Sequence, residues 1–435
     1  MPMQFTTYLT QLNDALNAEN GPNLANLLRP TSPHGKDLVK EFRNPTKAAL
    51  SRYEGSMQSP WDEIAIQYVL VCGHIAKKRY VEAFKEESQL VSLFYRFFPE
   101  NRGWTLPALF SILKDLKELA HDADASSREG SQEKTDSMEE AARTITKAFG
   151  LCMTDRTSPV NESRKWGVYY VVVLVLKCYF RVKRISLSKN ILRALHANND
   201  IPPLASYPRS HQVTYRYYIG MLAFLNEEFD KAEQELTLAF YHCHNGAHKN
   251  KERILAYLIP LRMLKGNLPS ALLLSRFPNI STIYTPFINA IRAGDVQGYD
   301  RALEENELKL LDLNLWVSVE KARELCLRGL FRKVYVPLAF ISALILDEFR
   351  RCLYPFPSSW LAVDKSTRMP ISLFHTGLQV AGVHVDLEEA ECYVANMIYK
   401  GLMRGYISHE KQTVVLAKEN SFPKVSDRPN PFALI

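Results

Sequence analysis

Residues 387–416, LEEAECYVANMIYKGLMRGYISHEKQTVVL, decide the fold. The first part predicts a helix over Leu387–Arg404. Asp386 is placed to cap this helix, with acidic residues in its first turn and basic residues in its last. The rest reads as two short strands around a polar tip, Gly405–Ser408, His409–Gln412 and Thr413–Leu416.

Two further helices are predicted before this stretch, over Leu330–Arg351 and Ser372–Ala381. Three helices followed by a β-hairpin predict a winged helix, which we place at residues 329–418. The connection Cys352–Pro370 is unusually long for such a domain.

Upstream, the chain reads as helices paired at short turns, most clearly over Val213–Leu264. Gly220, Ala232 and Ala239 have the small-residue spacing of a tetratricopeptide (TPR) unit, in which two helices approach closely. Weaker copies lie at Tyr68–Phe98 and Tyr169–Leu195. Because each hairpin needs neighbours to bury its apolar face, the copies favour a helical solenoid over unrelated hairpins in an irregular helical domain.

The predicted fold class is therefore all-α, a TPR-like helical solenoid followed by a C-terminal winged helix. A polar segment, His121–Met138, is expected to be a flexible insertion, and the proline-rich segment Asn198–Arg209 a long loop. The predicted domains are N-terminal helical repeats (1–120), the insertion (121–138), a central solenoid (139–328), the winged helix (329–418) and an extended tail (419–435).

Composition places the chain among globular proteins, with 46% hydrophobic and 23% charged residues. Its net charge of +7 favours acidic partners, although such a balance is also common in proteins that never bind nucleic acid. Scattered cysteines without a C-x-x-C pair indicate a reducing compartment. The start lacks a signal-peptide core and the apolar runs are too short to cross a bilayer, so we expect an intracellular protein.

Several segments carry a resemblance to a known family, namely SRKWG (163–167), VTYRYYIG (213–220), AFYHCH (239–244), KNK (249–251) with Ile254–Leu264, LFRKVY (330–335) and GYISH (405–409). Together with the solenoid and winged helix, they resemble the PCI family of scaffold subunits, and most closely its messenger-RNA export branch. That branch contains the PCI subunit of the second transcription-export complex and a paralogue first described with the signalosome.

The resemblance implies a non-catalytic subunit whose winged helix pairs edge to edge with a second PCI protein. It also implies a small acidic protein of the DSS/Sem type that clasps the solenoid. The joined winged helices would form a basic platform for RNA or DNA in messenger-RNA export and transcription-coupled processing. The expected location is the nucleus, including nuclear pores, with some protein in the cytoplasm. Two alternatives stay open: a signalosome- or proteasome-lid-type scaffold without nucleic-acid binding, and a general TPR adaptor with a structural winged helix.

Two sets of residues are candidates for these contacts. Basic side chains in and beside the winged helix would give salt-sensitive, sequence-independent phosphate contacts, and they are Arg328, Arg332, Lys333, Lys400, Arg404, Lys411 and Lys418. Candidate partner contacts lie at solenoid turns and at the edge of the wing, and they are Arg181, Lys183, Arg184, Lys249, Lys251, Tyr406 and Val414. Acidic residues at the start of the third helix argue against plain major-groove recognition by that helix.

No enzyme or metal site is expected. The sequence lacks a G-x-G-x-x-G, a P-loop, an H-E-x-x-H and a G-x-S-x-G. His242, Cys243, His244 and His248 invite comparison with zinc ligands, but consecutive helical residues point in different directions. We therefore predict no cofactor and no metal.

Overall fold

The computed structural model describes residues 3–43, 45–130, 136–335 and 367–427. It is mostly helical, with one small sheet near the C-terminal end. This confirms the predicted class, a helical solenoid followed by a winged helix. By its internal contacts the chain divides into two compact units, Met1–Tyr218 and Ile219–Ile435.

The first unit is built from consecutive helices that pack on one another. They are α1 Phe5–Asn17, α2 Gly21–Leu27, α3 Pro33–Phe42, α4 Lys47–Leu50, α5 Trp61–Ala76, α6 Tyr80–Phe97, α7 Leu106–Gly130, α8 Ser137–Met153, α9 Val168–Val182 and α10 Ser188–Ala197. The two weaker hairpins predicted here are confirmed as α5 with α6 and α9 with α10.

The predicted flexible insertion, His121–Met138, is partly wrong, because helix α7 extends into it. The helix continues to Gly130, so residues 121–130 of that segment are helical. Ala123 is fully buried, and the carboxylate of Asp124 accepts hydrogen bonds from the backbone N–H groups of Ser137 and Met138 at 3.1 and 3.2 Å. These contacts stabilise a polar segment that composition alone marks as unfolded. Residues 131–135 lie outside the described part of the chain.

The second unit continues with helices and ends with the sheet. Helix α11 begins in the first unit, and the elements are α11 Arg209–Leu225, α12 Phe229–His242, α13 His248–Leu264, α14 Ala271–Arg276, α15 Pro278–Ala293, α16 Val296–Asp312, α17 Trp316–Lys321, α18 Arg323–Tyr335, β1 Arg368–Pro370, α19 Ile371–Val380, α20 Leu387–Tyr399, β2 Gly405–Ser408 and β3 Thr413–Leu416. The predicted boundary between residues 328 and 329 falls within α18, which runs through it without a break.

The TPR-like hairpin is present as α11 and α12. A Cβ atom on Gly220 would lie 2.7 Å from Cγ of Leu236 on α12, closer than carbon atoms pack. Ala232 and Ala239 are fully buried on the facing helix. The small residues therefore allow the close approach of two helices that their spacing predicted.

The winged helix has three antiparallel strands in the order β1-β3-β2, and not two. The prediction missed β1, which pairs Met369 with Val414. Phe374 of α19 is fully buried and its ring centroid lies 5.1 Å from that of Phe331 on α18. The winged helix is thus joined to the last solenoid helix through a shared apolar core. The predicted helix Leu330–Arg351 and the connection Cys352–Pro370 lie mostly outside the described residues.

Helix α20 begins as predicted and ends earlier. The Asp386 side chain accepts a hydrogen bond from the N–H of Glu389 at 2.7 Å, and the Glu389 carboxylate accepts one from the Asp386 N–H at 3.1 Å, which is a capping box. The helix ends at Tyr399 because Gly401, with φ of +67°, turns the chain through the left-handed region. Arg404 therefore lies beyond the helix that was predicted to contain it.

The tail after the sheet packs against the second unit. Ser421 is buried, its carbonyl accepts a hydrogen bond from the Arg404 N–H at 2.8 Å, and the Phe422 ring lies 5.6 Å from that of Tyr335. The prediction of a surface-lying tail is corrected for this part. Residues 428–435 lie outside the described chain.

Candidate functional site

Strand β2, one of the two outer strands of the winged helix, has a free edge within the described residues. It pairs on one side with β3, in the register Tyr406 to Val415 and Ile407 to Val414. The Ala417 N–H donates to the Arg404 carbonyl, so the Arg404 carbonyl points towards the end of β3. Because backbone groups alternate in direction along a strand, the N–H and C=O of Tyr406 also point towards β3, and those of Ile407 point away from it. A strand edge with outward N–H and C=O groups is a template for a strand from another chain.

The side chain of Tyr406 is 62% exposed beside this edge. A second aromatic, Tyr399 at the end of α20, is 71% exposed, and the sequence reading missed it. The signal was present, because Ala390, Val394 and Met397 form the buried stripe of α20 and Tyr399 falls outside that stripe. Exposed aromatics of this kind supply much of the binding energy at protein interfaces.

Val414, the other residue predicted at the partner edge, does not lie there. It is fully buried, and its strand β3 is the central strand of the sheet, flanked on both sides. The prediction is wrong because it rested on a two-stranded hairpin, in which β3 would also have been an edge. Of the two residues predicted at the wing, Tyr406 on the outer strand β2 is the one that lies at an edge of the sheet.

Three of the seven cations predicted to bind nucleic acid are engaged within the protein. Arg328 donates to the carbonyls of Phe422 and Pro423 at 3.3 and 2.6 Å. Lys333 donates to the carbonyl of Ala293, and Lys400 forms an ion pair with Glu324. These contacts hold the tail, α15 and α20 against α18, so each of the three side chains has a structural role.

The other four cations are exposed, and they are Arg332, Arg404, Lys411 and Lys418. Lys411 lies at the tip between β2 and β3, and Arg404 and Lys418 flank the other end of the same two strands. Exposed cations around one small sheet are compatible with backbone contacts to a nucleic acid and carry no base specificity.

The wing tip also carries an acidic group. Nδ1 of His409 lies 2.9 Å from the Glu391 carboxylate, and this hydrogen bond raises the pKa of His409. Protonation of His409 would offset the Glu391 charge close to Lys411. Glu388 and Glu389 lie in the first turn of α20, where the sequence predicts repulsion of phosphate.

Comparison with known proteins identifies the family of this chain. Residues 361–418 match the model of the PCI domain. The protein named CSN12 homolog of Schizosaccharomyces pombe is 35% identical, over 97% of this chain and 98% of its own length. The chain belongs to the PCI-domain family of the CSN12 homologues. A CSN12 homolog of Mycosarcoma maydis is 35% identical over 86% of this chain and 87% of its own length. PCI domain-containing protein 2 of Xenopus laevis is 29% identical over 96% and 97%.

The PCI match includes all three strands, α19 and α20 described above. This chain is accordingly a PCI-domain scaffold protein, and the names of these CSN12 relatives denote no enzymatic activity. Among the helices that the structure describes, none has both the length and the apolar character needed to cross a membrane.

The first predicted partner group of this PCI protein lies in its first unit, around the end of α9. Arg181 lies 2.7 Å from Nε2 of His121, and Arg184 forms an ion pair with Glu139 at 2.9 Å. Lys183 occupies the left-handed position that ends α9, with φ of +60°. All three side chains remain exposed, and their role as partner contacts stays a prediction.

The second group lies in the second unit, at the start of α13. Lys249 is exposed, whereas Lys251 donates to the side-chain oxygen of Asn245 at 2.8 Å and its Nζ lies 5.2 Å from the centre of the Phe240 ring. These contacts favour a local structural role for Lys251.

The histidines next to this group do not form a metal site with neighbouring residues. His242, His244 and His248 are exposed and Cys243 is buried. Across the ranges that the structure describes, no group of three or more His, Cys, Asp or Glu side chains could hold a metal ion.

Proposed function

We propose that this chain is a non-catalytic subunit of a multiprotein complex and pairs, through strand β2 of its winged helix, with the winged helix of a second PCI-domain protein. The observation that carries the proposal is the free edge of β2, with Tyr406 exposed beside it. Backbone hydrogen bonds along a strand edge give affinity, and an exposed aromatic next to it gives specificity.

The names of the relatives support a signalosome-type scaffold more than a subunit of the messenger-RNA export complex. The sequence alone favours the export complex, with a signalosome-type scaffold as the alternative. A small acidic DSS/Sem-type protein remains a proposed further partner. The exposed cations at the end of α9 and the start of α13 are its candidate contacts, because their sign complements an acidic chain.

Pairing through β2 is tested by purifying the tagged chain from cells and identifying proteins that contain a PCI domain by mass spectrometry. A charge beside the edge opposes strand addition, so Tyr406→Lys should abolish recovery of the PCI partner. Tyr241→Lys is the matched control, because Tyr241 is a 73% exposed tyrosine of α12 in the same unit. Equal recovery with both variants would refute pairing through β2.

A second function, binding of RNA or DNA by the paired winged helices in a nuclear complex, is favoured by one observation. Three of the predicted cations, Arg404, Lys411 and Lys418, are exposed at the ends of strands β2 and β3. Phosphate contacts release counterions, so the binding constant should fall steeply with salt, and each lost contact should reduce the slope of the logarithmic plot by about 1.

The salt series should use RNA and the chain co-purified with its PCI partner. A double change, Arg404→Gln with Lys411→Gln, should lower both affinity and slope. Replacing two exposed cations elsewhere in the second unit, Arg253→Gln with Lys309→Gln, controls for net charge. An assembly that binds no RNA at low salt would exclude this second function and leave the protein scaffold.

A further inference from the structure

A basic cavity lies in the second unit, between the end of α15, helix α18 and the tail at Val425. Its volume is about 450 Å³, which falls within the size range of pockets for small ligands. Four of its lining side chains are cationic, and they are Arg292, Arg328, Arg332 and Lys333. The described lining contains no acidic residue, so the cavity is suited to an anion.

Two of these cations are held in position by the protein itself. Arg328 reaches the carbonyls of Phe422 and Pro423, and Lys333 reaches that of Ala293. Donors that are already oriented lose little entropy when a ligand binds beside them. The tail and the end of α15 thereby fix one wall of the cavity.

The other two cations, Arg292 and Arg332, are exposed at the cavity. Within the described chain, neither forms an ion pair or a side-chain hydrogen bond. The guanidinium group presents donors in a planar fork that matches the oxygens of a phosphate. A phosphate monoester also carries nearly two negative charges at neutral pH, so it satisfies two guanidinium groups better than a single carboxylate does.

The other residues that line the cavity determine the size and polarity of the rest of the ligand. Leu268, Ile291, Leu325 and Val425 contribute apolar surface, and Gly266 and Gly329 add no side chains. A volume of about 450 Å³ far exceeds what one phosphate group fills. A ligand that fills the cavity would therefore combine a phosphate with a partly apolar body of moderate size.

We propose that this cavity binds a phosphorylated nucleotide, with the phosphate against Arg292 and Arg332 and the base against Ile291 and Leu325. The nucleotide is either free or the 5′-phosphorylated end of an RNA strand, since the two share this chemistry. The strand-end form rests on the proposed nucleic-acid function, whereas the free-nucleotide form does not depend on it.

The test is calorimetric titration of the full chain with adenosine 5′-monophosphate, adenosine and inorganic phosphate. The monophosphate should bind at least about tenfold more tightly than either of the other two, because only it uses both parts of the cavity. Arg292→Gln and Arg332→Gln should each weaken its binding by about tenfold. Arg301→Gln, which removes an exposed arginine of α16 that does not line the cavity, should leave it unchanged.

Equal affinity for adenosine and its monophosphate, or an equal loss in Arg301→Gln and Arg332→Gln, would overturn the inference. Because the substituted arginines are exposed, melting curves should match the parent protein and exclude unfolding as the cause. A monophosphate that does not bind at millimolar concentration would also overturn it.

Two RNA hexamers, one with a 5′-phosphate and one with a 5′-hydroxyl, distinguish a free nucleotide from the 5′ end of an RNA strand as the ligand. Preference for the phosphorylated strand that is lost in Arg332→Gln supports the strand end, and equal binding of both strands supports the free nucleotide. If the assembly binds RNA and the monophosphate does not bind, the inference fails and the proposed nucleic-acid function stands. If the monophosphate binds and the assembly binds no RNA, the nucleic-acid function fails and the cavity stands.

Discussion

Replacing Asp115 by asparagine should stabilise the protein increasingly as the pH rises from about 4 to about 6, and by a constant amount above that. Asp115 lies on α7 and is 7% exposed, and its Oδ2 atom has no hydrogen-bond partner within the described residues. Burial, with a smaller contribution from Glu118, raises the pKa of Asp115 from 3.8 to about 6. Nearby, burial and then the Asp115 charge raise the pKa of Glu87, which is fully buried. The folded protein therefore pays a cost to ionise Asp115.

The sign and the size of the effect follow from proton linkage. Between pH 3.8 and about 6 the folded state holds the Asp115 proton and the unfolded state releases it. The free energy of unfolding therefore falls as pH rises through this range. At about 1.4 kcal/mol per pH unit, the loss reaches at most about 3 kcal/mol above pH 6. The neutral amide of Asp115→Asn avoids this loss.

The assay is urea unfolding at a series of pH values from 4 to 8, with Asp312→Asn, a change at an exposed carboxylate of α16, as the control. The variant Asp115→Asn should match the parent at pH 4 and exceed it by up to about 3 kcal/mol at pH 8. A variant that is less stable than the parent by the same amount at both pH values would refute the reasoning. That result would mean that the pKa of Asp115 does not differ between the folded and unfolded states.

Two further predictions concern other buried groups. Burial alone would raise the pKa of Asp155, but hydrogen bonds from the Arg164 N–H and the Ser163 hydroxyl lower it to about 2. The variant Asp155→Asn should therefore lose about 2 kcal/mol at pH 7, and urea unfolding should show the deficit shrinking as pH falls from about 4 towards 2. Replacing Phe374 by alanine should cost about 3–5 kcal/mol in thermal or urea unfolding of the full chain, whereas Val380→Ala, at a 37% exposed site of the same helix, should cost much less.

Local sequence signals predicted those parts of the fold that local contacts determine. The capping box at Asp386, the hairpin of β2 and β3, and the small residues between α11 and α12 depend on neighbours a few residues apart or on helical spacing. All of them are present at the predicted places. The pairing of β1 with β3 joins Met369 to Val414 across 45 residues, and three residues ending in a proline carry no strand signal of their own.

The candidate site was predicted less completely, for the same reason. Residue type marked the cations, but only tertiary contacts show that Lys400 pairs with Glu324 and that Arg328 holds the tail. The burial of Val414 follows from the third strand, which the sequence did not reveal. No sequence pattern marks Arg292, because it lies on α15 and lines the same cavity as the α18 cations only through packing. Charge patterns thus identify a basic region, and folding decides which of its members face a ligand.

Hydrogen–deuterium exchange of residues 405–408 tests the central claim most directly, with the chain measured alone and then co-purified with its PCI-domain partner. The amides of Gly405 and Ile407 face away from β3, so they should exchange quickly in the chain alone and become protected in the complex. The Tyr406 amide, which faces β3, should be protected in both. Unchanged exchange at Gly405 and Ile407 in a stable complex, with protection appearing elsewhere, would contradict pairing through the edge of the winged helix.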